Sequence, residues 1–106
     1  MKMDLNKLMQ QAQQMQEQMA RAQEELAREK VEASVGGGMV TVVATGGGEI
    51  VSITIKPEAI DPDDPEGLAD LVLAGVNEAL RNAQGLMQAK LGGAVGGLGG
   101  LGLPGL

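Results

Sequence analysis

The feature that most constrains this chain is an apolar seam that runs through its first segment at heptad spacing. From Leu5 to Leu26, apolar positions alternate at intervals of three and four residues, and nearly everything between them is polar. The seam residues are Leu5, Leu8, Ala12, Met15, Met19, Ala22 and Leu26. This spacing places all of them on one side of an α-helix and predicts a helix with a single narrow apolar face.

The seam is too long for the rest of so small a chain to cover. Strong helix formers without Gly or Pro predict a helix over residues 4–28, which would be a rod of roughly 37 Å. The five large seam side chains, at about 2 kcal/mol each, would forfeit roughly 10 kcal/mol if left in water. Because that is comparable to the stability of a small domain, we expect another chain to cover the seam.

That other chain is expected to be a second copy. The positions that flank the seam are mostly glutamine, so they lack the opposed charges that select a different helical partner. The chain also has no aromatic residue, which deprives its core of the side chains that bury the most area. The seam therefore predicts a homodimer.

After the first helix, the apolar period changes from about 3.6 to 2, which is typical of β-strands. Three segments, "VEASV", "MVTVVAT" and "EIVSITIKP", are separated by the triplets Gly36–Gly38 and Gly46–Gly48. They predict an antiparallel three-stranded meander with a shorter first strand. The apolar residues expected on one face are Val40, Val42 and Ala44, with Val51, Ile53 and Ile55 facing the same way across the hairpin.

A second helix follows the acidic loop "DPDDPEG". Asp64 fits the N-cap and Pro65 the first helical position, and we expect the helix to end near Lys90. Residues 91–106 are Gly- and Leu-rich and predict a disordered tail. The sequence thus predicts one α+β domain at residues 1–90, an α-β-β-β-α subunit with long helices.

The composition argues against an enzyme. The chain has no His and no Cys, which removes the commonest general base and the thiol nucleophile. Neither glycine triplet fits a phosphate-binding motif, and the carboxylates of residues 61–72 fail the pattern of a calcium loop. We therefore expect no catalytic residue, metal, cofactor or small-molecule substrate.

The chain shows no sign of secretion or membrane insertion. Its start is polar, without the apolar core of a secretory signal, and no apolar run approaches the ~20 residues that cross a bilayer. We expect a cytoplasmic location.

The segments "LNKLMQQAQQMQEQM", "VEASVGGGMVTVVATGGGEIVSITIKPEAI" and "LADLVLAGVNEALRNAQ" occur in this order over roughly residues 4–90. Together they resemble the YbaB/EbfC family of bacterial nucleoid-associated proteins. The resemblance implies an intertwined homodimer that binds double-stranded DNA in the cytoplasm, at the nucleoid. It also implies roles in nucleoid organisation and gene regulation.

The placement of charge indicates where DNA would bind. The net charge is −6, but the acidity is concentrated between Asp61 and Asp70, whereas the start of the first helix and the end of the second are mildly basic. The predicted phosphate contacts are Lys2, Lys7, Arg81 and Lys90, with Gln10, Gln11 and Gln14 as hydrogen-bonding support. With so few cations, binding should be modest and strongly salt-sensitive.

An alternative function stays open. The overall acidity and the Met- and Gln-rich first helix also suit a protein-interaction module, since methionine surfaces adapt to varied partners. In that case the helical arms would bind a protein partner belonging to the DNA replication or repair machinery.

Overall fold

A computed structural model describes residues 4–94. It shows one helix, a three-stranded sheet and a second long helix, in the predicted α-β-β-β-α order. The elements are α1 (Leu5–Arg28), β1 (Lys30–Val35), β2 (Val40–Thr45), β3 (Ile50–Ile55), a 3₁₀ turn (Pro57–Ala59) and α2 (Pro65–Ala94).

α1 begins and ends at residues that the sequence marks. Asp4 is its N-cap, and the Asp4 carboxylate accepts a hydrogen bond from the backbone N–H of Lys7 at 3.3 Å. At the other end, Glu29 adopts an extended backbone, so β1 starts without a loop. α1 therefore passes directly into β1.

The three strands form an antiparallel meander in the order β1-β2-β3. Each has six residues, so the expectation of a shorter first strand was wrong. The turn between β1 and β2 places Gly36, Gly37 and Gly38 at φ values of 63°, 68° and 91°. Other residues rarely adopt this left-handed region, which explains the first glycine triplet.

A bulge in the second hairpin changes which residue of β3 lies opposite Ala44. Val40 pairs with Ile55 and Val42 with Ile53, as expected, but the register shifts between Val43 and Ala44. Ile50, rather than Val51, therefore lies opposite Ala44, and Val51 is 47% exposed. A strict period of two cannot anticipate a bulge, because a bulge adds one residue to a single strand.

The core lies between α2 and one face of the sheet. Its buried residues are Ala33, Val40, Val42, Ala44, Ala79 and Ala83. The small residues of α2 bring its backbone close to the sheet, since a Cβ built on Gly75 would lie 2.9 Å from Val42 Cγ2. α2 packs mainly on β1 and β2, which leaves Ile53 of β3 43% exposed.

α2 continues to Ala94, beyond its predicted end near Lys90. The rest of the predicted tail, residues 95–106, lies outside the described residues. Within residues 4–94, no helix has the length and hydropathy needed to cross a membrane.

Candidate nucleic-acid interface on a projecting helix

The first 14 of the 24 residues of α1 project from the domain. Every residue from 5 to 18 is exposed, including Leu5 at 67% and Met15 at 38%. The radius of gyration is 20.4 Å, whereas a compact domain of 100 residues has about 13 Å. We call residues 5–18 the arm.

The seam is covered only at its end. Ala22 is 6% exposed and Leu26 is 2% exposed, so these two residues are already buried by their own chain. Met19 is half-buried, and the seam residues of the arm remain in solvent. Within residues 4–94, packing covers the last turns of the seam and leaves the rest in solvent.

We call the C-terminal end of α1, around Leu26, its base. The base packs where α2 and the turn after β2 meet. A Cβ built on Gly46 would lie 2.8 Å from Leu26 Cδ2 and 3.2 Å from Leu86 Cδ2. The Gly46 N–H also donates to the Glu29 carbonyl oxygen at 2.9 Å. These contacts hold the end of α1 against α2 and the sheet.

An ionic cluster joins α1 to α2 beside these apolar contacts. Lys90 Nζ donates to Glu25 Oε2 at 2.9 Å and also to Glu29 Oε1. The side chain of Lys90 is only 21% exposed. The hydrogen bonds that Lys90 donates to Glu29 and to Glu25 raise the pKa of Lys90, the bond to Glu29 more, and the bond to Glu25 lowers the pKa of Glu25.

Four of the predicted DNA contacts come together on the arm. Lys7, Gln10, Gln11 and Gln14 are spaced at i, i+3, i+4 and i+7, so they share one face of α1, and all are exposed. Among residues 4–94, no carboxylate is ion-paired with Lys7. The arm therefore presents a cation beside three amides, with no ion pair to it from the described part of the chain.

The other predicted cations are placed differently. Arg81 lies on α2, 66% exposed, and pairs with Glu78 at 2.5 Å, while Lys90 is held in the ionic cluster described above. Lys2 lies outside the described residues. Among residues 4–94, Lys7 has no carboxylate partner, whereas Arg81 and Lys90 do.

The acidic loop lies at the far end of α2. Its carboxylates serve the local backbone: Asp61 Oδ1 accepts from the Asp63 N–H at 2.9 Å, and Asp64 Oδ1 from the Gly67 N–H at 3.0 Å. In the part of the chain that the structure describes, no cluster of His, Cys, Asp or Glu is suited to hold a metal ion. From Pro65 to Lys90 the helix rises roughly 37 Å, so the acidic loop is remote from the base of α1.

α2 also carries an apolar surface that the sequence did not reveal. An open groove is lined by Pro65, Leu68, Ala69, Val72, Leu73 and Val76. Leu73, which is 59% exposed, lies outside the stripe that packs on the sheet. The apolar residues of α2 cover more of the helix surface than packing on the sheet requires. This excess was the sequence signal that could have indicated a second packing face.

Comparison with known proteins identifies the family of this chain. The model of the YbaB/EbfC DNA-binding family matches residues 1–98. This chain belongs to the YbaB/EbfC DNA-binding family. The match includes every element from α1 to α2, and so covers both the arm and its base.

Relatives within the YbaB/EbfC family are similar over nearly their whole length. A nucleoid-associated protein of Acetivibrio thermocellus is 58% identical over 103 residues, 97% of this chain and 89% of that protein. A nucleoid-associated protein of Streptomyces avermitilis is 54% identical, over 97% of this chain and 91% of that protein.

A solved structure shares the fold. The crystal structure of an uncharacterized protein from Helicobacter pylori superposes with a TM-score of 0.68 at 23% identity, over 78% of this chain and 87% of that one. At that identity the likeness concerns the fold alone. It agrees with the α-β-β-β-α architecture described above.

Proposed function

We propose that this YbaB/EbfC-family protein is a nucleoid-associated homodimer of the bacterial cytoplasm that binds double-stranded DNA through phosphate contacts. The observation that carries this proposal is the arm face on which Lys7 and the three glutamines lie together and are exposed. Lysine and glutamine side chains bind phosphate oxygens without reading the base sequence. A protein of this kind organises the nucleoid and influences gene expression by where it binds.

The net charge of −6 does not prevent such binding, because the charges are segregated. The acidic loop lies at the N-terminal end of α2, roughly 37 Å along that helix from Lys90. At physiological salt the Debye length is about 8 Å, so the loop is screened from DNA held on the arm.

Two exposed apolar surfaces support the homodimer. One is the unpaired seam of the arm, where Leu5 and Leu8 are 67% and 45% exposed. The other is the groove of α2 around Leu73. Because a monomer of this size leaves both surfaces in water, pairing two copies would bury the area that a core without aromatic residues lacks.

The test is a fluorescence anisotropy titration of labelled duplex DNA at roughly 50 and 200 mM salt, a range over which phosphate-driven binding weakens steeply. We expect saturable binding that weakens strongly at the higher salt. Lys7→Ala should weaken it, and adding Lys2→Ala should weaken it further. The matched control is Lys56→Ala, which removes the same charge at the end of β3.

Comparing the Lys7 and Lys56 variants tests whether the DNA-binding site lies on the arm. Removing a phosphate contact lowers the slope of log affinity against log salt by about 0.9 per contact, so Lys7→Ala should flatten the slope and Lys56→Ala should not. Equal effects of the two variants would contradict a site on the arm. Absence of binding at the lower salt would contradict the DNA-binding function.

A second candidate function has one observation in its favour. Met9, which flanks the seam, is 64% exposed. An exposed methionine on a helix suits an adaptable contact with another protein. If the titration shows no DNA binding, this observation favours a module that binds a protein of the DNA replication or repair machinery.

A further inference from the structure

We propose that Lys90 is a positioning residue: together with Glu25 and Glu29 it fixes the direction in which the arm projects from α2, and it acts on DNA binding through that direction. This inference deepens the proposed function and rests on it. It assigns to Lys90 a role other than the phosphate contact that the sequence predicted.

The contacts of Lys90 are those of a bridge between two helices. Its ammonium group binds Glu25 and Glu29, which lie 65 and 61 residues earlier in the chain. In the described part of the chain these are the ion pairs that join α1 to α2, whereas the pair of Arg81 with Glu78 lies within α2. With two carboxylates bound and its side chain 21% exposed, Lys90 is poorly available to phosphate.

The apolar contacts beneath this cluster leave the direction of the arm underdetermined. Leu26 packs against Gly46 and Leu86, and such packing is non-directional. Hydrogen bonds to two carboxylates one helical turn apart are directional, so they restrict rotation of α1 about its packed base. Leu26 thus supplies the attachment, and Lys90 the orientation.

The length of α1 amplifies a change at its base. From Glu25 to Leu5 the helix rises about 30 Å, so a tilt of about 10° at the cluster moves the tip of the arm by roughly 5 Å. That displacement is comparable to the reach of a lysine side chain. Loss of the cluster would therefore take Lys7 out of register with the phosphates that it is proposed to bind.

Charge alone and arm position predict opposite results for one variant. Glu25→Gln with Glu29→Gln removes two negative charges per chain, which by itself should strengthen attraction to DNA. If the cluster positions the arm, the same variant should weaken binding, because the arm loses its fixed direction. The sign of the change separates the two explanations.

The arm direction is measurable without DNA. Because the chain has no cysteine, Gln13→Cys on the arm and Asn77→Cys on α2, both exposed positions, accept nitroxide labels specifically. Double electron–electron resonance, with excess unlabelled protein to suppress distances between copies, then gives the distance distribution within one chain. We expect a narrow distribution in the parent, and a broader or shifted one in Lys90→Met and in Glu25→Gln with Glu29→Gln.

Arg81→Met is the matched control, since it removes one positive charge and one ion pair without touching α1. Its distance distribution should equal that of the parent. Unchanged distributions in both cluster variants, with the helical circular dichroism intact, would overturn the proposal and show that apolar packing alone sets the direction of the arm.

Anisotropy titrations on the same variants connect the arm to DNA. We expect Lys90→Met to weaken binding more than Arg81→Met does, with the salt slope unchanged. A slope lowered by about 0.9 per chain would instead make Lys90 a phosphate contact and overturn the positioning role. If the parent binds no DNA, the proposed function fails, while the distance measurement still decides whether the cluster directs the arm.

Discussion

Gly46 lies directly against Leu26, so that a methyl group built on Gly46 would come within 2.8 Å of Leu26 Cδ2 and 2.9 Å of the Leu26 carbonyl oxygen. The carbonyl belongs to the helix backbone, which cannot rotate away as a side chain can. The absence of a side chain at Gly46 therefore allows the base of α1 to reach the turn between β2 and β3. The close approach of α1 to this turn therefore explains why the first residue of the second glycine triplet is a glycine.

Replacing Gly46 with alanine should destabilise the protein. The added methyl group would force α1 away from the turn, and overpacking of this kind typically costs about 1–3 kcal/mol. Gly47→Ala is the matched control, because its Cβ would meet nothing closer than Thr45 Oγ1 at 3.6 Å. Urea unfolding followed by circular dichroism at 222 nm checks both, and equal midpoints would contradict the close approach.

Two glycines of α2 should respond to alanine in opposite directions. A Cβ on Gly85 meets nothing within 4 Å, so Gly85→Ala should stabilise the helix by about 0.5–1 kcal/mol. A Cβ on Gly75 would lie 2.9 Å from Val42 Cγ2, and Val42 is fully buried. The expected overpacking exceeds the gain in helix propensity, so Gly75→Ala should lose about 1 kcal/mol net.

The same unfolding assay compares these two variants at equal protein concentration. Gly85→Ala should raise the midpoint and Gly75→Ala should lower it. Stabilisation by both would mean that α2 has room to move off the sheet at Gly75.

The fold was predictable because its signals are local. The change of apolar period at Val31, the glycine triplets and the Asp64–Pro65 helix start each lie within a few residues of the structure that they specify. The bulge in β3 between Ile50 and Ser52 was not predictable, since it depends on how β2 and β3 align after the turn. The extent of seam burial likewise depends on Leu86 and Gly46, which are distant in sequence from Leu26.

The candidate site was predictable in part. Helical spacing alone places Lys7 and the glutamines on one face of α1. The carboxylate partners of Lys90 could not be foreseen, because charge counting along the chain does not show that residues 61 and 65 positions apart meet. The groove around Leu73 was missed because one apolar stripe was already sufficient to explain packing on the sheet.

The Lys90 cluster should stabilise the fold only within a window of pH. Its carboxylate partners raise the pKa of Lys90 above the ordinary 10.5, so the stabilisation is complete below 10.5 and is lost as pH rises through the raised value. Lys90 lowers the pKa of Glu25 below the ordinary 4.5, so that contribution is complete above 4.5 and is lost as pH falls through the lowered value.

Thermal unfolding of the parent and of Lys90→Met over a pH series measures this window. The difference in Tm should be constant between about pH 5.5 and 9.5 and should shrink on either side. Protein concentration must be held equal, since association shifts Tm. A difference that does not vary with pH would mean that Lys90→Met acts through lost packing of the aliphatic stem rather than through its charge.

The exposed part of the seam should hold two copies together. Met15→Asp with Met19→Asp places charges where a second copy is proposed to pack, and a charge buried without a partner costs several kcal/mol. We expect this variant to sediment as a monomer at concentrations where the parent is a dimer. Gln13→Asp with Gln14→Asp adds the same charge on exposed positions away from the seam and should leave the dimer intact. A dimer that survives the methionine substitutions would place the contact between copies elsewhere, and the groove around Leu73 would then be the surface to substitute.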